Sequence, residues 1–94
     1  MHTESKDETL VVTGFSRLTA DNAVVFRDLV RATLQPQHRT IAVDLSKVTV
    51  VDSDGLGSLI AVHKRMCERQ GHMKLLHPSP TLRQMFQLVR LDQV

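Results

Sequence analysis

Apolar and polar positions fall in blocks whose spacing changes along the chain. Residues 1–8 are polar and predict a frayed N-terminal tail, leaving 9–94 as the folded domain. Thr9–Thr13 (TLVVT) is a β-branched run closed by Gly14 and predicts a strand. Ala23, Phe26, Val30, Thr33 and Leu34 recur at helical spacing up to Pro36. Thr19 is placed to cap that helix, with Asp21 and Asn22 in its first turn, where Asp21 suits the positive end. Gln35 to Arg39 reads as a polar loop. Thr40 to Leu45 predicts a second strand, and its apolar run from Ile41 to Val43 suits an inner strand covered on both faces. Val48 to Val51 extends that strand or forms a separate short piece. Leu56, Leu59, Ile60, His63, Met66 and Cys67 form a helical stripe, with Gly71 as a left-handed stop. Met73 to Leu76 predicts a third strand. Ser79 before Pro80 is a helix start, a cap followed by proline at the first helical position. Leu82, Met85, Phe86 and Val89 supply that helix's buried face. The order strand, helix, strand, helix, strand, helix predicts a single α/β domain: a mostly parallel sheet of four (or three) strands with helices packed on it.

Composition narrows the functions available. The chain has 94 residues, 41% hydrophobic and 23% charged, which is ordinary globular composition. There is no Trp or Tyr and there are three Phe, which argues against a base-stacking platform for single-stranded nucleic acid. A net charge of +2 supplies no broad phosphate-binding surface. No nucleic-acid partner is expected. No apolar run reaches the ~18 residues of a membrane span. The polar start carries no signal peptide, so a cytoplasmic protein is expected.

Candidate chemistry is sparse. One cysteine forms no internal disulfide, and no Cys/His spacing suits zinc. None of the five histidines, His2, His38, His63, His72 and His77, stands in a recognised pattern with a nucleophile and a carboxylate, so catalysis is not expected. Cys67 lies on the apolar stripe and is expected to be a buried small hydrophobe. His63 is expected to be a satisfied, partly buried imidazole. Gly55-Leu56-Gly57 is too short for a dinucleotide loop, and no cofactor is expected. Lys64, Arg65 and Arg69 form a solvated basic face or, as an alternative, contact an acidic partner surface.

Asp52 to Gly57 stands apart, because it sits where an inner strand gives way to a helix. The crevice outside the carboxyl ends of such strands is where ligands or partners bind in open α/β sheets. A helix opening at Asp54-Gly55 points free backbone N–H groups outward and favours an anion. The simpler reading is that Asp52, Ser53 and Asp54 cap the helix, but three capping residues exceed what one cap needs.

The stretch Val43-Asp-Leu-Ser-Lys-Val-Thr-Val-Val-Asp-Ser-Asp-Gly-Leu-Gly57 resembles the STAS domain of bacterial anti-sigma factor antagonists. That family carries Asp-Leu-Ser, an apolar spacer, then Asp-Ser-Ser-Gly-Leu-Gly. Gly14, the Ser79-Pro80 start and the closing Leu91-Asp-Gln-Val94 add weaker support. The resemblance covers nearly the whole chain. It implies a compact α/β fold without catalysis that binds a serine kinase acting as an anti-sigma factor, an interaction ended by phosphorylation of a serine at the helix start. It places partner binding on Ser53, Asp54, Gly55, Leu56 and Lys64.

Two departures bear on that role. The family's phosphoacceptor, the serine immediately before the glycine, is Asp54 here. A carboxylate offers a serine kinase no hydroxyl, so phospho-switching at this position is not expected, and Ser53 is the neighbouring alternative acceptor. Asp54 either mimics a partly phosphorylated state or leaves a binder that is never switched off. The second departure is after the first strand, where the family often has Asp shortly after Leu; here Leu18 is followed by Thr19. The N-terminal strand that often precedes Thr9–Thr13 is expected to be absent or very short. Other functions carried forward are a STAS subunit of a lipid-transport ATPase and a small-ligand or nucleotide sensor using the helix mouth.

Overall fold

A computed structural model describes residues 1–91. Residues 92–94 of the closing Leu91-Asp-Gln-Val94 lie outside the described residues. The strands are β1 (His2–Lys6), β2 (Thr9–Thr13), β3 (Arg17–Leu18), β4 (Thr40–Asp44), β5 (Val50–Val51) and β6 (His72–Leu76). The helices are α1 (Ala23–Thr33), α2 (Ser53–Glu68) and α3 (Pro80–Leu88). The main sheet has the order β1-β2-β4-β6, and β3 pairs with β5 in a two-stranded ribbon. All of these pairings are parallel except β1 with β2. The expected mostly parallel α/β domain is the observed one, and of the two strand counts expected for its sheet, four is found, because β1 forms.

Register explains the core. Leu10 pairs with Ile41 and Ile41 with Met73, while Val12 pairs with Val43 and Val43 with Leu75. Partners in register share a face, so these residues form two apolar rows across the sheet. Ile41, Ala42 and Val43 are all buried, as a strand covered on both faces requires. Phe26 and Val30 of α1 and Leu59, Val62 and Met66 of α2 complete the same cluster. Each such side chain contributes about 1.5–3 kcal/mol on full burial. The rings of Phe15 and Phe26 lie 6.3 Å apart, tilted at 47°.

Several expectations are corrected. Residues 2–6 are not a frayed tail but the edge strand β1, joined to β2 by a tight turn with Asp7 at φ 55°. Its sequence HTESK carries no alternating apolar face because most of it is exposed. What holds it is the ladder to β2 and a buried histidine. His38 is fully buried; its Nδ1 accepts the Gln35 amide at 2.9 Å, so the ring proton sits on Nε2 and is donated to Ser5 Oγ at 2.7 Å. Thr19 does not cap α1. It closes a turn just before the helix, its hydroxyl accepting from the Asp21 amide at 3.3 Å, and Asn22 precedes the first helical residue. No acidic residue stands in the first turn of α1; Asp21 instead meets Arg17 at 3.7 Å on the surface.

At the end of α2 the left-handed residue is Gln70 (φ 59°), not Gly71. Gly71 is required for another reason: a Cβ there would lie 2.5 Å from the Arg39 carbonyl oxygen. Cys67 is exposed rather than buried, with its sulfur 3.7 Å from Nε2 of half-buried His63. The stripe on α2 turns to the core along Leu59, Val62 and Met66 and leaves Cys67 to one side. Val89 lies past the end of α3 and is exposed, so Leu82 and Phe86 carry that helix's buried face. Ser79 caps α3 as predicted, its hydroxyl accepting from the Leu82 amide at 3.2 Å with Pro80 at the start of the helix.

Candidate docking corner

The β3–β5 ribbon delivers the chain to the mouth of α2. The Asp52 amide donates to the Leu18 carbonyl at 3.3 Å and so ties the end of β5 to β3. Asp52 is the N-cap of α2. One carboxylate oxygen accepts the Gly55 amide at 2.8 Å and the other accepts the Ala20 amide at 3.0 Å. A single side chain therefore closes the helix mouth and pins the turn before α1 against it. The Gly55 amide first, and the Ala20 amide next, hold the Asp52 carboxyl below its ordinary value of 3.8. At the end of β4, the Asp44-Leu45-Ser46 signature forms a tight Asx turn. Asp44 accepts the Ser46 amide at 2.9 Å, and that bond, then the Ser46 side chain, lowers its carboxyl too.

This arrangement corrects the expected anion site. The helix opens one residue earlier than Asp54-Gly55, at Ser53, and the Gly55 N–H is taken by Asp52 instead of pointing outward. A fixed carboxylate already sits where an incoming anion would be drawn.

Ionised Asp52 is favoured by the fold, so its contribution to stability is complete above its ordinary carboxyl range and is lost as pH falls through the lower folded value. Asp44 acts in the same sense. Thermal melts of Asp52→Asn are expected to show a smaller acid-side decline below about pH 4 than those of the wild type. Asp52→Ala is expected to melt about 5 °C lower at pH 7. An unaltered acid profile in Asp52→Asn would contradict this assignment.

The residues singled out from the sequence do not all share one surface. Ser53 and Asp54 are exposed in the first turn of α2. Gly55 is buried beneath β3, so it shapes the corner and cannot touch a partner. Leu56 is half-buried and packs against the core. Ser58 is buried, and its hydroxyl donates to the Gly55 carbonyl at 2.6 Å. Lys64 is exposed about 15 Å farther along the helix axis at 1.5 Å per residue. Arg69 is not a free surface cation, because it donates to the carbonyls of Gln35 and Pro36 at 2.7 and 3.1 Å.

What the sequence did not indicate is the contribution of α1. Asp54 shares a shallow depression of about 230 Å³ with Ala20, Ala23, Val24 and Arg27. Val24 is 56% exposed. The available signal was that Val24 and Val25 fall off the buried Ala23–Phe26–Val30 stripe, which leaves both on the outer face of α1.

Among the described residues no helix is long and apolar enough to cross a membrane. Likewise, no three His, Cys, Asp or Glu side chains among them gather as a metal site.

The family model described as "Mlab, STAS domain" matches residues 1–94. The anti-sigma factor antagonist SpoIIAA in its unphosphorylated form is 28% identical with a TM-score of 0.78, covering 93% of this chain and 81% of that one. SpoIIAA, the Bacillus cell fate determinant, in its phosphorylated form is 26% identical with a TM-score of 0.80, covering 98% and 85%. A Thermotoga maritima protein assigned as an anti-sigma factor antagonist shares the fold, with a TM-score of 0.88 at 23% identity over 99% of this chain and 80% of that one. No curated protein matches the sequence.

Proposed function

Because the chain belongs to the STAS domain family, we propose that it is a non-catalytic regulator of the anti-sigma factor antagonist type whose docking corner carries a permanent acid. It binds a serine kinase or anti-sigma partner through Ser53, Asp54 and the start of α2, with Val24 beside them and Lys64 farther along. The observation that carries this reading is Asp54 itself, exposed in the first turn of α2 where the family pattern has its phosphoacceptor serine. SpoIIAA has been solved with and without phosphate on a closely similar fold.

A carboxylate supplies about one negative charge, against roughly −1.5 to −2 for a phosphoserine, and it is smaller. At the N-terminus of a helix that charge is stabilised by the aligned peptide dipoles. The partner meets a fixed, tolerated acid that no kinase adds and no phosphatase removes. Mass spectrometry after incubation with the partner kinase and ATP is expected to find the wild type unmodified and Asp54→Ser phosphorylated at residue 54. Phosphate on Ser53 of the wild type would overturn the unswitchable reading.

Asp54 also favours a second reading. A subunit held constitutively in a lipid-transport ATPase needs no phospho-switch, and the same corner would serve as its contact. Stable co-purification with a transport ATPase, and no affinity for a serine kinase, would select it. A nucleotide sensor has less support, since Asp52 occupies the helix mouth it would use.

A further inference from the structure

Arg27 and Arg31 of α1 and Lys64 and Arg65 of α2 line a groove of about 400 Å³ between the two helices. Glu68 is the carboxylate among its lining residues, so four cations stand against one acid in a chain whose net charge is only +2. Arg31 is partly offset by Asp28 at 3.8 Å, with both side chains exposed. Among the described residues Arg27, Lys64 and Arg65 take part in no salt bridge. The cations stand on two helical rails, with Arg27 and Arg31 one turn apart on α1 and Lys64 and Arg65 on α2. Beneath them the floor is recessed: Val30 is 1% and Val62 4% exposed.

We propose that this groove docks an acidic α-helix of a partner protein, its carboxylates paired with Arg27, Arg31, Lys64 and Arg65. Carboxylates one turn apart on a helix match cations one turn apart on α1, because residues i and i+4 stand ~6 Å apart. Charge supplies most of the attraction, since the floor offers little apolar area. A membrane is disfavoured because surface-binding faces need protruding apolar side chains, and here they are sunk below the cations. Nucleic acid is disfavoured by the small number of cations and by the lack of Trp and Tyr. The groove shares Arg27 and Lys64 with the docking corner.

The test is a titration of the isotope-labelled protein, followed by amide NMR, with an alanine-based helical peptide bearing glutamates at i,i+4 on both flanks of one face. Shifts are expected in residues 27–31 and 61–65. Arg27→Glu/Arg65→Glu, both exposed, should weaken binding at least tenfold while lowering stability by no more than the helix-dipole contribution of Arg65 in the last turn of α2. The peptide titration needs no partner kinase, whereas the corner is read by Asp54→Lys against that kinase, which separates failure here from failure of the corner reading. Equal binding of the glutamine version of the peptide would overturn the proposal. So would shifts confined to other surfaces, or binding of phosphatidylglycerol vesicles or inorganic phosphate while the glutamate peptide does not bind.

Discussion

Gly55→Ala is expected to destabilise the protein by at least about 3 kcal/mol, the upper end of what overpacking ordinarily costs. A Cβ at Gly55 would lie 1.8 Å from the Leu18 carbonyl oxygen and 2.6 Å from its carbon. These are backbone atoms and cannot rotate aside. The methyl group must lift β3 from α2, which breaks the bond from the Asp52 amide to Leu18 and disturbs the pairing of Leu18 with Val51. Leu18 is fully buried, so the displacement also opens the core. Gly57, two residues on, is the internal control. Nothing lies within 4 Å of a Cβ placed there, and Gly57→Ala is expected to stabilise by about 0.5–1 kcal/mol as a helix former replaces glycine. Urea unfolding of both variants checks the pair, and Gly55→Ala within 1 kcal/mol of the wild type would show that the β3–α2 contact is not fixed as described.

Asp54→Lys is expected to weaken partner binding at least tenfold, a loss of about 1.4 kcal/mol, by reversing charge at the centre of the docking corner. Asp54 is exposed, so the effect on folding is limited to the helix dipole, ~0.3–1 kcal/mol. Val24→Asp tests the same surface from α1 and is expected to act in the same direction. Leu56→Glu is the poorer probe, because Leu56 packs against the core and its loss of binding would mix with loss of fold. Calorimetric titration with the partner resolves these effects, provided that far-ultraviolet circular dichroism shows each variant folded. Unchanged affinity in both Asp54→Lys and Val24→Asp would remove the corner from the interface.

The elements legible in the sequence were those with strong local signals. TLVVT, TIAVD, the α2 stripe and Ser79-Pro80 each declare their structure through periodicity or a cap, and each is found. The elements missed are held by tertiary contacts. β1 has no apolar alternation and exists through its ladder to β2 and the Ser5–His38 bond. The two-residue β3 is too short for any period and is held by β5 and the Asp52 amide. At the corner, residue types pointed to a turn feeding a helix mouth, which is found, but not to the division of labour within it. Gly55 and Gly57 look alike in the sequence, yet one is wedged under a carbonyl and the other faces open space. Three adjacent capping residues looked like a surplus, but Asp52 alone closes the mouth, and this frees Ser53 and Asp54 for the surface.

The most direct measurement is the affinity of the wild type and of Asp54→Ser for the partner kinase, each titrated with and without prior exposure to that kinase and ATP. The wild type should bind equally in both conditions, while Asp54→Ser should bind before exposure and lose its affinity after it. A wild type that lets go of its partner once ATP is supplied would contradict the account.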